Sequence, residues 1–213
     1  NNFLSIESDF SKKLKSLKGY NRFLYMAIGD HGYEKSHISA FDSVKETLTS
    51  NAPNGLEWHA VNNNENYYMS RPVISLINGI ERLFDDIHNN LAADSEISKK
   101  GFDAIVKHYE FLSADKYGFD VSAQGSLKNL AKAEFKIDAT KGLAMFERIV
   151  LKYPDSAYAH SDLAERLAEQ GKLNKAISMQ HIAVDKAKTM VPWHQNNQQK
   201  KLDKLLEMLD KTN

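Results

Sequence analysis

Part of the chain repeats itself. A shift of 34 residues brings Leu130 onto Ala164, Gly142 onto Ala176, Phe146 onto Gln180 and Ile149 onto Ala183. Recurrence at that interval marks stacked helix–turn–helix units, each burying its apolar stripe against the next. Apolar spacing of three and four predicts helices at about 122–135, 139–151, 157–170, 173–188 and 196–209, preceded by one at 98–112 that carries Phe102, Ile105, Val106, Tyr109 and Leu112. Local chemistry agrees with these limits. Asp155-Ser156, just after Pro154, is an N-cap signal, and Gly171 stands where a left-handed residue ends a helix.

The first 90 residues follow a different rule. Asn21 to Ile28 is almost continuously apolar and stops at Gly29-Asp30-His31-Gly32, which reads as a buried parallel strand. Ile38, Phe41, Val44 and Leu48 then form one helical face, Leu56 to Val61 reads as a second strand, and Pro72 opens a helix bearing Val73, Leu76, Ile77, Ile80, Leu83, Phe84 and Ile87. Strand, helix, strand, helix is the pattern of a parallel α/β sheet. The expected architecture is therefore α/β followed by all-α: a partial parallel sheet of two or three strands over 1–90, then a helical array over 98–213. Asn1 to Ile6 reads as the end of a further strand, and the abrupt start suggests a fragment or processed product.

Charge follows the same division. The chain balances 28 basic against 28 acidic residues, yet residues 1–97 carry −4 and residues 98–213 carry +4. The overall balance argues against a nucleic-acid binder, which shows a basic excess. No run approaches the roughly 18–20 apolar residues of a membrane span. With no Cys there is no thiol nucleophile, disulfide or thiolate metal site, and the redox compartment stays open.

Many weak signals in one order carry a resemblance. Phe23-Leu24-Tyr25-Met26-Ala27-Ile28-Gly29-Asp30, an amphipathic helix, Gly55-Leu56-Glu57-Trp58, Glu65-Asn66, and a helix from Pro72 ending Gly79-Ile80-Glu81-Arg82-Leu83-Phe84 resemble the C-terminal third of the esterase family of α/β hydrolases. That family includes siderophore esterases and acyl-transferring relatives, and some members continue into tetratricopeptide-like helices. His108-Tyr109, Leu112-Ser113, Tyr117-Gly118, Phe146 and Tyr153-Pro154-Asp155-Ser156 are similar to those extended members. The unit 157–190 matches the tetratricopeptide pattern at Leu163, Ala164, Leu167, Ala176 and Ala183; the unit 123–156 matches at Gly142, Phe146 and Pro154 but has Ser126 and Asn129 where a large aromatic and Leu are expected.

The resemblance implies a Ser nucleophile in G-x-S-x-G and a His base after the last strand. Neither is found: the chain contains no G-x-S-x-G, and the loop after Trp58 reads Glu65-Asn66-Tyr67-Tyr68. Tyr67 or Tyr68 falls at the His position, and a phenol of pKa about 10 is a poor base beside an imidazole near 6.5. Asp30 falls where such folds keep an acid or a residue facing the site, or is a turn residue beside Gly29 and Gly32. The candidate catalytic residues are thus Asp30 and Tyr67, and no ester hydrolysis is expected of these 213 residues. No cofactor or metal motif is read. His31 and His37 are a pair without a third ligand; His59 reads as a packed or partly exposed strand residue, His88 as a helix-end residue, and Asn62 to Asn66 as a solvated loop, with sugar or metal binding as the alternative. Expected partners are a protein or peptide on the helical repeats, with Lys128, Lys132, Lys136 and Lys141 as a solvated face or an acidic-partner surface, and self-association through the incomplete sheet. Nucleic acid and a membrane span are not expected.

Overall fold

The computed structural model describes residues 2–16, 22–30 and 32–211. They are mainly helical, with one small parallel sheet. The chain divides into two compact units, Asn1–Asn89 and Asn90–Asn213.

The first unit runs α1 (Asn2–Ser16), β1 (Arg22–Ile28), a 3-10 turn (Gly32–His37), α2 (Ile38–Asn51), β2 (Leu56–Asn62), α3 (Arg71–Leu83) and a short α4 (Asp85–His88). The expected strand at the N-terminus is instead helix α1. Its apolar residues Phe3, Ile6, Phe10 and Leu14 recur at three, four and four, a helical period that a six-residue window cannot reveal. Helix α1 packs on α2, where Leu14 and Leu48 are buried. β1 and β2 pair in parallel, from Arg22 opposite Leu56 to Ile28 opposite Asn62. The expectation of a fully buried strand fails, because no residue of either strand is buried. Parallel sheets are normally covered on both faces; this one has two strands, and α3 packs on β1.

The second unit runs through a 3-10 turn (Ser98–Lys100), α5 (Phe102–Phe111), a π-helical turn (Leu112–Tyr117), α6 (Gln124–Ile137), α7 (Ala139–Lys152), α8 (Ala157–Glu169), α9 (Leu173–Ala187) and α10 (Pro192–Asp210). Helix α6 packs on α7, α8 on α9 and α10 on α9, and α7 also meets α8. The 34-residue correspondence becomes a packing rule. Gly142 and Ala176 are both buried helix contacts, and a Cβ at Gly142 would overlap the backbone of Phe135, so the small residue sets the α6–α7 approach. Phe146, 1% exposed, fills the core beside Ile149, Leu163 and Leu167. Its counterpart Gln180 is equally buried but donates to the main-chain and side-chain oxygens of Gln198 on α10, both at 2.9 Å.

Helix ends form as their residues dictate. Ser156 Oγ accepts the Ala159 N–H at 3.2 Å, and Asp138 Oδ1 accepts those of Thr140 and Lys141 at 3.0 and 3.1 Å. After α8, Gly171 adopts φ +68° while its N–H reaches Ala168 O and that of Lys172 reaches Leu167 O, the paired bonds of a Schellman ending. The two residues that depart from the repeat pattern have a definite task. Ser126 Oγ accepts the Leu91 N–H at 2.8 Å and shares a 2.6 Å bond with the Tyr109 hydroxyl, while Asn129 Nδ2 donates to Leu91 O at 3.1 Å. Polar side chains stand there because they hold the incoming main chain, which an aromatic and a Leu cannot do.

Candidate functional site

The first unit holds an open groove of about 980 Å³. The pleat of β1 supplies one wall with Phe23, Tyr25 and Ala27, which alternate onto one face. Helix α3 supplies the other with Pro72, Leu76, Gly79, Ile80 and Leu83, and Tyr68, Met69 and His37 stand at its margins. Its lining is mostly apolar. The His59 ring stacks at 5.6 Å from Phe23 and 6.5 Å from Tyr25, and its Nε2 lies 3.3 Å from Glu57 Oε1.

Neither candidate catalytic residue lines this groove. Asp30 is exposed beyond the end of β1, and its main-chain N–H donates to Asn64 Oδ1 at 2.8 Å. Tyr67 is 75% exposed in the turn before α3, where its carbonyl accepts the N–H groups of Ser70 and Arg71. His31, read as the neighbour of His37, lies outside the described residues. Among the described residues no three His, Asp or Glu side chains converge as a metal would require. His88 ends α4, as its position after an amphipathic run implies.

Two features of this region were not legible in the sequence. The Asn-rich loop is solvated at Asn62, Asn64 and Glu65 but also carries internal ties: Asn63 Nδ2 donates to Ser75 Oγ at 2.8 Å, Asn64 Oδ1 accepts the Asp30 N–H, and the Asn66 carbonyl accepts from Arg71 Nη2 at 3.0 Å. Arg71 is only 5% exposed, and its guanidinium lies against Gly29, where any Cβ would overlap it. A lone Arg before a Pro gives no sequence signal of burial. The small Gly29 at a strand end is the one hint.

The second unit carries two smaller grooves. One, about 410 Å³, lies among α7, α8 and α9, with Leu143, Val150, Leu163 and Met179 as its apolar wall and Glu147, Lys172 and Lys175 around it. The other, about 340 Å³, is bounded by Ser161, Glu165, Glu169, Lys201, Lys204 and Met208. Burial pushes the Glu165 carboxyl up, but the hydrogen bond and charge of Arg166, with Lys201 and Lys132, outweigh it and hold the group below its usual range. Three lysines of α6 and α7 are correspondingly committed. Lys128 Nζ sits 2.6 Å from Asp162, Lys141 lies 3.7 Å from Asp138, and Lys132 faces Glu165. Much of this positive face therefore answers carboxylates of the same unit.

No described helix is long and apolar enough to cross a membrane. No family model matches the chain, and no curated protein matches it. A crystal structure of an uncharacterised protein from Capnocytophaga ochracea DSM 7271 is similar in fold, with a TM-score of 0.53 at 14% identity. The match covers 95% of this chain and 58% of that one, so the chain spans little more than half the length of its structural neighbour.

Proposed function

We propose that the chain is a non-catalytic binding module. In this reading an esterase-like βαβα unit of α/β-hydrolase type is joined to a tetratricopeptide-like array that takes up a protein or peptide. One observation carries it: the groove between β1 and α3 is mostly apolar, while the residues at catalytic positions, Asp30 and Tyr67, are exposed and do not line it. General acid–base work needs a base within hydrogen-bond reach of the nucleophile, and a phenol serves poorly in that role near neutrality compared with an imidazole. The order strand, helix, strand, helix with Asp after the first strand supports the hydrolase-like descent. The 34-residue helical hairpins support the repeat reading.

Ester turnover tests it. Purified chain incubated with p-nitrophenyl acetate is expected to release nitrophenol no faster than buffer, as are the Asp30→Asn and Tyr67→Phe variants. Saturable turnover by the natural chain that either substitution abolishes overturns the proposal and restores an esterase.

A further inference from the structure

The groove among α7, α8 and α9 borders a place where the repeat departs from itself in charge. Under the 34-residue shift Asp138 at the start of α7 corresponds to Lys172 at the start of α9, and Lys141 corresponds to Lys175. In the first hairpin Asp138 caps its helix and lies 3.7 Å from Lys141. In the second no side chain caps α9, and its first turn holds no acidic residue. Lys128, Lys152, Lys186 and Lys188 of the same unit each meet a carboxylate, but among the described residues Lys172 and Lys175 do not. Placing Lys where its counterpart is a capping Asp removes a cap and adds like charge, and both changes cost stability. Local rules broken without an internal gain are expected where a surface serves function.

We propose that this groove receives an acidic amphipathic helix of a partner protein, an inference that rests on the binding-module reading and gives its partner a chemistry. Shape and charge select that occupant. Leu163 and Leu167 of α8, each 5% exposed, floor the groove, while Val150 and Leu151 of α7 and Met179 of α9 wall it. Leu151 is 80% exposed, so the apolar wall stands open. Lys172 and Lys175 face the single carboxylate of Glu147 on the rim, which leaves the rim net positive. Apolar side chains recurring every three or four residues fill such a floor, and flanking carboxylates answer the two lysines. A helix suits the groove better than a strand. The described residues of this unit include no strand whose edge an extended peptide could join, whereas a helix brings its own main-chain hydrogen bonds.

Fluorescence anisotropy of the full chain tests this with a fluorescein-labelled helical peptide bearing Leu at i, i+3, i+4 and i+7 and Glu on the flanking positions. A twin with Lys for Glu, and another with Ala for Leu, are each expected to bind about 10-fold more weakly or worse. Lys172→Glu combined with Lys175→Glu should weaken the acidic peptide by about 10-fold, Glu147→Gln should tighten it, and Lys204→Glu in the other cleft should leave it unchanged. All four side chains are exposed, so the fold is retained. Lys172→Asp separates binding from stability: by restoring the cap seen at Asp138 it should raise the melting temperature while weakening the peptide. Binding that the lysine substitutions leave unchanged overturns the proposal; if Lys204→Glu abolishes it instead, the peptide belongs to the other cleft and the binding-module reading survives. Equal binding of the three peptides, or binding of none, overturns the proposal as well. Ester turnover in the assay above would overturn the non-catalytic reading alone.

Discussion

The two units differ in how they close a core. Among the described residues the first buries two apolar side chains, Leu14 and Leu48, whereas the second buries twenty, sixteen of them in one continuous cluster. The difference lies in connectivity. A helical hairpin finds its partner in the next few residues, so each of α6 to α9 is covered by a sequence neighbour. A parallel strand needs cover on both faces and along both edges, usually from distant parts of a chain. Two strands and one packed helix supply only a portion of that.

Truncating the core of the second unit should have the largest effect. Phe146→Ala is expected to cost about 3–5 kcal/mol, read from urea unfolding by helical circular dichroism, while Val73→Ala in the first unit stays within about 0.5 kcal/mol. Equal losses from the two would erase the distinction. Gly142→Ala should cost about 1–3 kcal/mol by forcing α7 away from Phe135, despite the better helix propensity of Ala. Ser126→Ala should cost about 1–2 kcal/mol in the same assay, because the Leu91 N–H and the Tyr109 hydroxyl lose their common partner. Hydrogen exchange sharpens the contrast without mutation: amides of β1 and β2 are expected to exchange well before those of α8 and α9. Protection as strong in the strands as in these helices would contradict it.

The smallest effect expected is acid sensitivity of the second unit. The Lys141 main-chain N–H holds the Asp138 carboxyl below its usual range, burial opposing this and the Thr140 N–H assisting it; Glu165 is depressed for the reasons given above. A carboxyl lowered by folding stabilises the fold above its unfolded pKa and loses that contribution as pH falls through the folded value. Melting should therefore decline below about pH 4. In Asp138→Asn the decline should be shallower, Asn still serving as a cap. An unchanged acid limb in the variant would remove Asp138 from the account.

The sequence made the second unit legible because its information is local. Spacing and caps placed α7, α8 and α9 within a residue or two at each end, and Ser156 and Gly171 act as their residue types imply. The first unit was legible in the order β1, α2, β2, α3 and in the Pro near the start of α3. What escaped was whatever depends on a partner far along the chain. Residues Phe3 to Leu14 needed a window longer than the first few positions to read as a helix. Burial of Arg71 depends on Gly29, 42 positions earlier. Ser126 and Asn129 look like lapses in a repeat until Leu91 is placed beside them. The exposed stripe of α3 has the same pattern as a buried one, since periodicity reports which face is apolar and not whether anything covers it.

The grip on Leu91 has a mechanical side. Its main-chain N–H and C=O are both held by α6, through Ser126 and Asn129, and Ser126 is braced by Tyr109 of α5. Tension arriving along the chain at Asn90 is thus received by two helices at once and passed into their shared core. The segment between Leu91 and Phe102, with its turn at Ser98–Lys100, lies behind that grip, and the array would be pulled as a block, starting from its first hairpin.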